Sequence, residues 1–291
     1  MKLLKSRAGE LLVTLPPLTW LLIFFLIPTL IIFALAFKPF DFYGGVGEGW
    51  TLETFKSLNT ASYYAIVWRT IWLSVLTTAI CCLLALPMGY YLARANSRVR
   101  HLLLLLTILP FWSSFIVRIF AWKSLLHPEG LAKRILLFLH VVSVDTVLLY
   151  NSGAVLLVMV YSYLPFAILP VYASASKFNF QLIEAALDLG LHRFQAFLKV
   201  FIPGIKKGMI TAILMVFIPS LGAYVIPDVV GGPSSEMIGN KIVQKTFVNR
   251  NLPQASALSA LLTIAVLVPM AAIAWLQRRV EKRKRGIRRG T

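Results

Sequence analysis

Few side chains in this sequence are arranged to do covalent chemistry. His101, His127, His140 and His192 stand singly, and the two cysteines, Cys81 and Cys82, are neighbours inside an apolar run. A metal site needs His, Cys or carboxylates recurring at ligand spacing, and adjacent cysteines cannot staple distant loops. No Ser/His constellation and no His/Glu pair stands out, and no Gly-x-x-x-x-Gly-Lys-Ser/Thr phosphate loop is present. What remains is recognition chemistry. Asp228 follows an uncharged run, Tyr224 lies four residues earlier on what would be the same helical face, and Trp112 sits in a second uncharged run. A carboxylate held in low dielectric usually lines a cavity or a pathway, and an indole face attracts a cation by about 0.5–2 kcal/mol. The three are therefore candidates for receiving an organic cation. A plainer reading places Trp112 and Tyr224 in an interfacial aromatic belt and Asp228 at a helix end.

The elements that must position these residues follow from composition. The chain has 291 residues, 58% hydrophobic and 14% charged, with a mean hydropathy of +0.79. Soluble chains are nearer about 45–50% apolar and about 25% charged, so the solvent implied here is lipid. A helix needs about 20 apolar residues to cross a bilayer. Six stretches suffice, and they predict an all-α integral membrane protein with spans at about 18–37, 68–93, 102–122, 153–174, 208–227 and 255–276. Residues 18–276 form the transmembrane domain. Segment 1–17 precedes it, and 277–291 is a basic tail. The stretch from Leu18 to Phe37 is long for a signal core and lacks a small-residue cleavage site, so it reads as a retained helix.

A net charge of +18 could suggest nucleic acid, but the basic residues lie in short clusters between apolar spans. Lys2, Lys5 and Arg7, then Arg94, Arg98 and Arg100, then Lys177, Arg193, Lys199, Lys206 and Lys207, and finally the tail all fall on one side if both termini are cytoplasmic. That is a positive-inside pattern and it argues against a nucleic-acid partner. The tail serves most simply as a topology anchor, with an anionic-lipid patch as the sharper alternative. Arg118, in the third span, either pairs with a carboxylate of another helix or snorkels to the interface. Pro87, Pro165, Pro170 and Pro219 lie within spans.

The longest cytoplasmic loop, 179–203, has a helical pattern of its own. Asn179 is a plausible N-cap for Gln181 to Leu189, and Gly190 suits the left-handed position that ends a helix. Beyond it Phe194, Phe197, Leu198 and Phe201 recur at intervals of three and four, opposite Arg193, Gln195 and Lys199, and Pro203 ends this second short helix. Pattern alone leaves two readings open, a docking element for a partner and an amphipathic segment on the membrane surface.

The residues break that tie. Glu184-Ala185-Ala186-Leu187-Asp188-Leu189-Gly190, nine residues, then Val200-Phe201-Ile202-Pro203 resembles the EAA motif of ABC-importer permeases. It keeps the motif's spacing, departs only by Val for Ile and Ile for Leu, and falls before the penultimate span. Pro110-Phe111-Trp112, Arg118-Ile119, Tyr163-Leu164-Pro165-Phe166, Tyr224-Val225-Ile226-Pro227-Asp228, Gly231-Gly232 and Met237-Ile238-Gly239-Asn240 are similar to the spermidine/putrescine type. Leu252-Pro253 departs from that type's Trp-Pro pair.

The resemblance implies the type I ABC importer permease fold, six transmembrane helices with cytoplasmic coupling helices, in a bacterial inner membrane and embedded in membrane lipid. It also implies a dimer of ATPase subunits holding ATP and Mg, a second and heterologous permease, and an extracytoplasmic solute-binding protein. The chain itself would hold no cofactor and would not be an enzyme. Glu184 would contact the ATPase, Ala185 and Ala186 would allow close approach, Asp188 would lie in the same contact, and Gly190 would make the bend. Glu184 as a simple helix-capping charge remains the alternative. A stand-alone channel or secondary transporter would carry internal repeats or buried ion relays, and neither is evident. A permease for an anion, a metal chelate or a vitamin is the nearer rival.

Overall fold

The computed structural model describes residues 13–41, 45–268 and 271. Lys2, Lys5, Arg7 and the basic tail lie outside them. In chain order the main helices are α1 (Val13–Leu35), α2 (Glu53–Ser57), α3 (Ala61–Arg94), α4 (Ser97–Ile108), α5 (Phe115–Leu126), α6 (Leu131–Phe138), α7 (Ser152–Ala175) and α8 (Gln181–Asp188). Then come α9 (Arg193–Gly204), α10 (Lys206–Leu221), α11 (Ile238–Val243) and α12 (Leu252–Val268). A two-residue antiparallel ribbon pairs Phe40 with Val46 and Asp41 with Gly45. The chain forms two compact units, one of the described residues up to Tyr63 with those from Lys241 onward, the other Tyr64–Asn240.

Helices α1, α3 and α7 are each long and apolar enough to cross a bilayer. Two bent pairs pass the same test when each is taken as one crossing: the helical run Ser97–Trp112 with Phe115–Phe138, bent by 93°, and α9 with α10, bent by 76°. The apolar α12 is shorter within the described residues. The stretch expected to span at 102–122 is bent: its helix breaks at Ser113, whose backbone is extended after a 3₁₀ turn over Leu109–Trp112. Pro110 within that turn supplies the cause, since it has no N–H to continue the α-helical ladder. The span expected at 208–227 also differs, because α10 stops at Leu221 before Gly222.

In the Tyr64–Asn240 unit the core is built from small residues. The buried positions of α3 include Thr70, Leu73, Ser74, Thr77, Cys81, Ala85, Gly89 and Leu92, one face at helical period. Trp68, Trp72, Val75 and Leu83 are exposed on the same helix. Large apolar groups outward and small or hydroxyl groups inward is the expected order where the solvent is lipid and backbones must approach. A Cβ on Gly89 would lie 2.6 Å from Val171 of α7, and one on Gly208 of α10 would lie 2.4 Å from Ser174. Those two glycines let α3 and α10 close on α7. Thr70 and Thr78 return their hydroxyls to the carbonyls of Ile66 and Ser74, which removes the cost of a bare donor in the core. Asn151 caps α7, accepting from Ala154 N at 2.9 Å.

In the other unit, Gln254 Nε2 donates to Ser57 Oγ at 3.2 Å, and Asn251 caps α12 by accepting from Gln254 N. No residue of the most hydropathic stretch of α1 is buried, so this helix offers its whole circumference to an apolar surrounding.

Candidate functional site

The segment 178–204 is shaped first by local backbone geometry. Asn179 is not the N-cap expected for α8, a position taken by Phe180; its Oδ1 accepts from Gln181 N at 3.1 Å in an Asx turn that leads into the helix. At the other end Gly190 has φ +88°. Its N–H donates to Leu187 O and the N–H of Leu191 donates to Ala186 O. This bond pair is the Schellman end of a helix, in which glycine takes the left-handed residue because it has no Cβ to strain. Nothing lies within 4 Å of where a Gly190 Cβ would sit, so the demand for glycine there is conformational and not steric.

Glu184, Ala185, Asp188 and Gly190 are exposed, on the surface a partner would meet. Ala186 is not: at 6% exposure it packs with Ile183 into the protein's own core. The expectation that Ala186 allows close approach of a partner is thus corrected. Its small size serves packing within the chain, because it lies three residues from Ile183 on the inward face of α8.

The second short helix departs from expectation as well. Phe194, Phe197, Leu198 and Phe201 do not share one face. Phe201 is fully buried, while Phe194 is 72% exposed. The turn Phe197–Phe201 is a π-turn in which Ile202 N–H reaches back to Phe197 O, and one wide turn shifts the register of all that follows. Phe201 thereby enters an aromatic cluster, edge-on to Tyr90 of α3 at 4.9 Å, edge-on to Phe178 at 5.4 Å and stacked on Phe197 at 5.2 Å. Arg94 donates to Tyr90 Oη at 2.7 Å and its guanidinium lies over Phe180. A Cβ on Gly204 would strike the Phe178 ring. The exposed tips Leu182, Leu189 and Phe194 stand on this rigid base.

The second candidate region is 222–240. Asp228 N–H donates to Tyr224 O at 3.0 Å, which places the two residues one helical turn apart. Tyr224 is 45% exposed and Asp228 is exposed. Their backbone is fixed by groups that sequence reasoning did not assign. Asn240 Nδ2 donates to Tyr224 O at 3.0 Å, and its Oδ1 accepts from Met237 N at 3.1 Å. Thr70 Oγ1 of α3 accepts from Ile238 N at 2.9 Å. Gly239 permits the clasp, since a Cβ there would lie 2.7 Å from Ala223 O. The Gly239-Asn240 pair was visible in the sequence, but its long-range bonds carry no local signal.

Trp112 ends the 3₁₀ turn and is 76% exposed. Among the described residues no hydrogen bond or ring contact joins it to Tyr224 or Asp228. Arg118 forms no ion pair with a carboxylate among the described residues. Its guanidinium lies over the rings of Phe111 at 5.3 Å and Phe115 at 5.8 Å, and its buried Nε has no hydrogen-bond partner.

Comparison with known proteins gives this geometry a context. Residues 85–286 match the family described as "Binding-protein-dependent transport system inner membrane component". The spermidine/putrescine transport system permease protein PotB of Haemophilus influenzae is 33% identical over 267 residues, covering 90% of this chain and 93% of that protein. PotB of Escherichia coli is 32% identical, covering 91% and 96%. The inner membrane ABC transporter permease protein YdcU of Escherichia coli is 31% identical, covering 90% and 88%. Among solved structures, a bacterial ABC transporter that imports the acidic polysaccharide alginate superposes with a TM-score of 0.72 at 18% identity, covering 96% of this chain and 99% of that one. That likeness speaks for the fold. With apolar helices long enough to span a bilayer, a helix-ended Glu184–Gly190 segment and a family match over most of its length, this chain belongs to the binding-protein-dependent transport system inner membrane components, the multi-pass permease subunits of ABC importers.

Proposed function

We propose that this permease carries polyamines, spermidine or putrescine, across the inner membrane by alternating access. The observation that carries the reading is near-full-length similarity to polyamine permeases. An exposed carboxylate and an exposed phenol one helical turn apart, on a backbone held from behind, add to it. An ammonium group entering low dielectric needs such an acceptor, because an unpaired charge there is costly.

In this reading both termini and the 179–203 segment are cytoplasmic. A dimer of ATPase subunits binds ATP and Mg and takes Glu184, Ala185, Asp188, Leu189 and Phe194 into its surface. Gly190 sets the angle between α8 and α9. The aromatic cluster around Phe201 passes the displacement to Tyr90 and so to α3. A second, heterologous permease completes the passage, and Tyr224, Asp228 and Trp112 line this chain's side of it. A solute-binding protein delivers the cation from outside; the bacterial alginate ABC transporter has been solved in complex with an alginate pentasaccharide-bound periplasmic protein.

The test is reconstitution of the permease in liposomes with its ATPase, second permease and binding protein. ATP-dependent uptake of spermidine or putrescine, with none of amino acids or organic anions, is the expected result. Uptake confined to another solute class would overturn the polyamine assignment and leave the family membership standing.

A further inference from the structure

Helix α6 is built inside out. Leu131, Ile135 and Phe138, at i, i+4 and i+7, are all exposed, Phe138 at 82%. Of the two charged residues between them, Lys133 and Arg134, Lys133 is buried at 8% exposure and its Nζ donates to Val144 O at 2.5 Å. The apolar face does not end with the helix. Leu139, Val141, Val144 and Val147 of the following turns are exposed too, while Arg134 and His140 are exposed beside them. In water this arrangement is unfavourable on both counts, since it wets large apolar groups and withdraws an ammonium. In lipid the signs reverse. The membrane helix α3 follows the same rule, with Trp68, Trp72 and Leu83 outward and its hydroxyls inward.

We propose that α6 and the loop to Val147 form a foot that lies flat on the bilayer at the boundary between headgroups and acyl chains. Its occupant is lipid. The face repeats the order of α3, large apolar groups outward with a polar group turned in, and exposed Arg134 and His140 flank it as headgroup partners would. The Lys133–Val144 bond holds the foot's shape by tying the helix to the loop and turning the Lys133 ammonium away from acyl chains, while Arg134 and Asp145 stand exposed. The foot belongs to the end of the bundle opposite the Glu184–Gly190 segment, because α7 runs between them and its 24 residues rise about 36 Å. Arg134 and His140 reach the headgroups. Such a foot would set the depth of the α5–α7 connection in the membrane. The inference rests on membrane embedding alone and is independent of the cargo.

The test uses the full complex in liposomes, with nitroxide labels on cysteines placed one at a time by Leu131→Cys, Phe138→Cys and, in the exposed turn before α6, Glu129→Cys. The native cysteines are removed by Cys81→Ala and Cys82→Ala, and uptake confirms that each labelled complex is folded. At positions 131 and 138 oxygen should relax the label several-fold more effectively than water-soluble nickel chelate, and at 129 the order should reverse. Labels at 131 and 138 that meet nickel chelate freely would show a face in water. Immobile labels reached by neither reagent would show a protein partner. Either result overturns the proposal.

Discussion

The segment around Glu184–Gly190 and the segment Tyr224–Asn240 are held by opposite means. The first is fixed at close range, by an Asx turn at Asn179, a left-handed glycine and a knot of rings from Phe178, Phe197 and Phe201. The second is fixed at long range, by Thr70 reaching Ile238 and Asn240 reaching Tyr224. In the first, the side chains make the rigidity and a few apolar tips stay exposed, the ones the proposed function gives to the ATPase. In the second, the backbone carries the restraint, and the Tyr224 and Asp228 side chains stay exposed, the ones the proposed function gives to the solute. A lever must transmit force and a passage must release its cargo, and the two constructions fit those tasks.

The comparison can be broken at several points. The largest effect is expected from Phe201→Ala, which empties the centre of the ring cluster. Such truncations cost about 3–5 kcal/mol, so the purified permease should unfold at lower temperature and lose uptake. Unchanged unfolding would mean that the cluster supports nothing. Next comes Gly239→Ala, which drives a methyl group against Ala223 O. Overpacking of this kind costs about 1–3 kcal/mol. Uptake should fall while the ATPase still co-purifies, and loss of the ATPase instead would unite the two regions.

Gly190→Val addresses the bend. A non-glycine residue in the left-handed region costs roughly 1–2 kcal/mol, and more when β-branched. Hydrolysis should continue while solute moved per ATP drops about tenfold, the equivalent of roughly 1.4 kcal/mol. Normal coupling in that variant would remove the bend from the mechanism. Asp228→Asn should raise the half-saturating polyamine concentration by up to about tenfold, the scale of one hydrogen bond to a charged group, with unfolding unchanged. Trp112→Leu should be the mildest, about two- to fivefold on uptake, as for an exposed cation–π contact. An effect as large as that of Asp228→Asn would bring Trp112 into the same site.

What the sequence reveals follows the same division. The α8 bend is legible because its signals are local: a glycine four residues after the last alanine of the motif, and asparagine two residues before the helix. The lipid-facing helices are legible from hydropathy. The 93° break after Trp112 is harder to foresee, because an apolar run carries no period when both faces are apolar, and a proline in a membrane helix only sometimes ends it. The inward turn of Phe201 depends on one π-turn, which no spacing rule announces. The burial of Ala186 could have been read from its distance to Ile183, but the motif drew attention to its outward neighbours. The Asn240 clasp and the Thr70–Ile238 bond join residues distant in sequence, and a single sequence read alone cannot show such pairing.

The central claim is that the 179–203 segment is a cytosolic handle worked by a separate ATPase. Leu189 is 84% exposed, so Leu189→Cys offers a reactive thiol at its tip, while the native Cys81 and Cys82 are buried. The account predicts that an impermeant maleimide fails to label this cysteine in intact cells, labels it in inverted vesicles, and is blocked there when the ATPase is bound. Labelling from outside in intact cells would contradict the account.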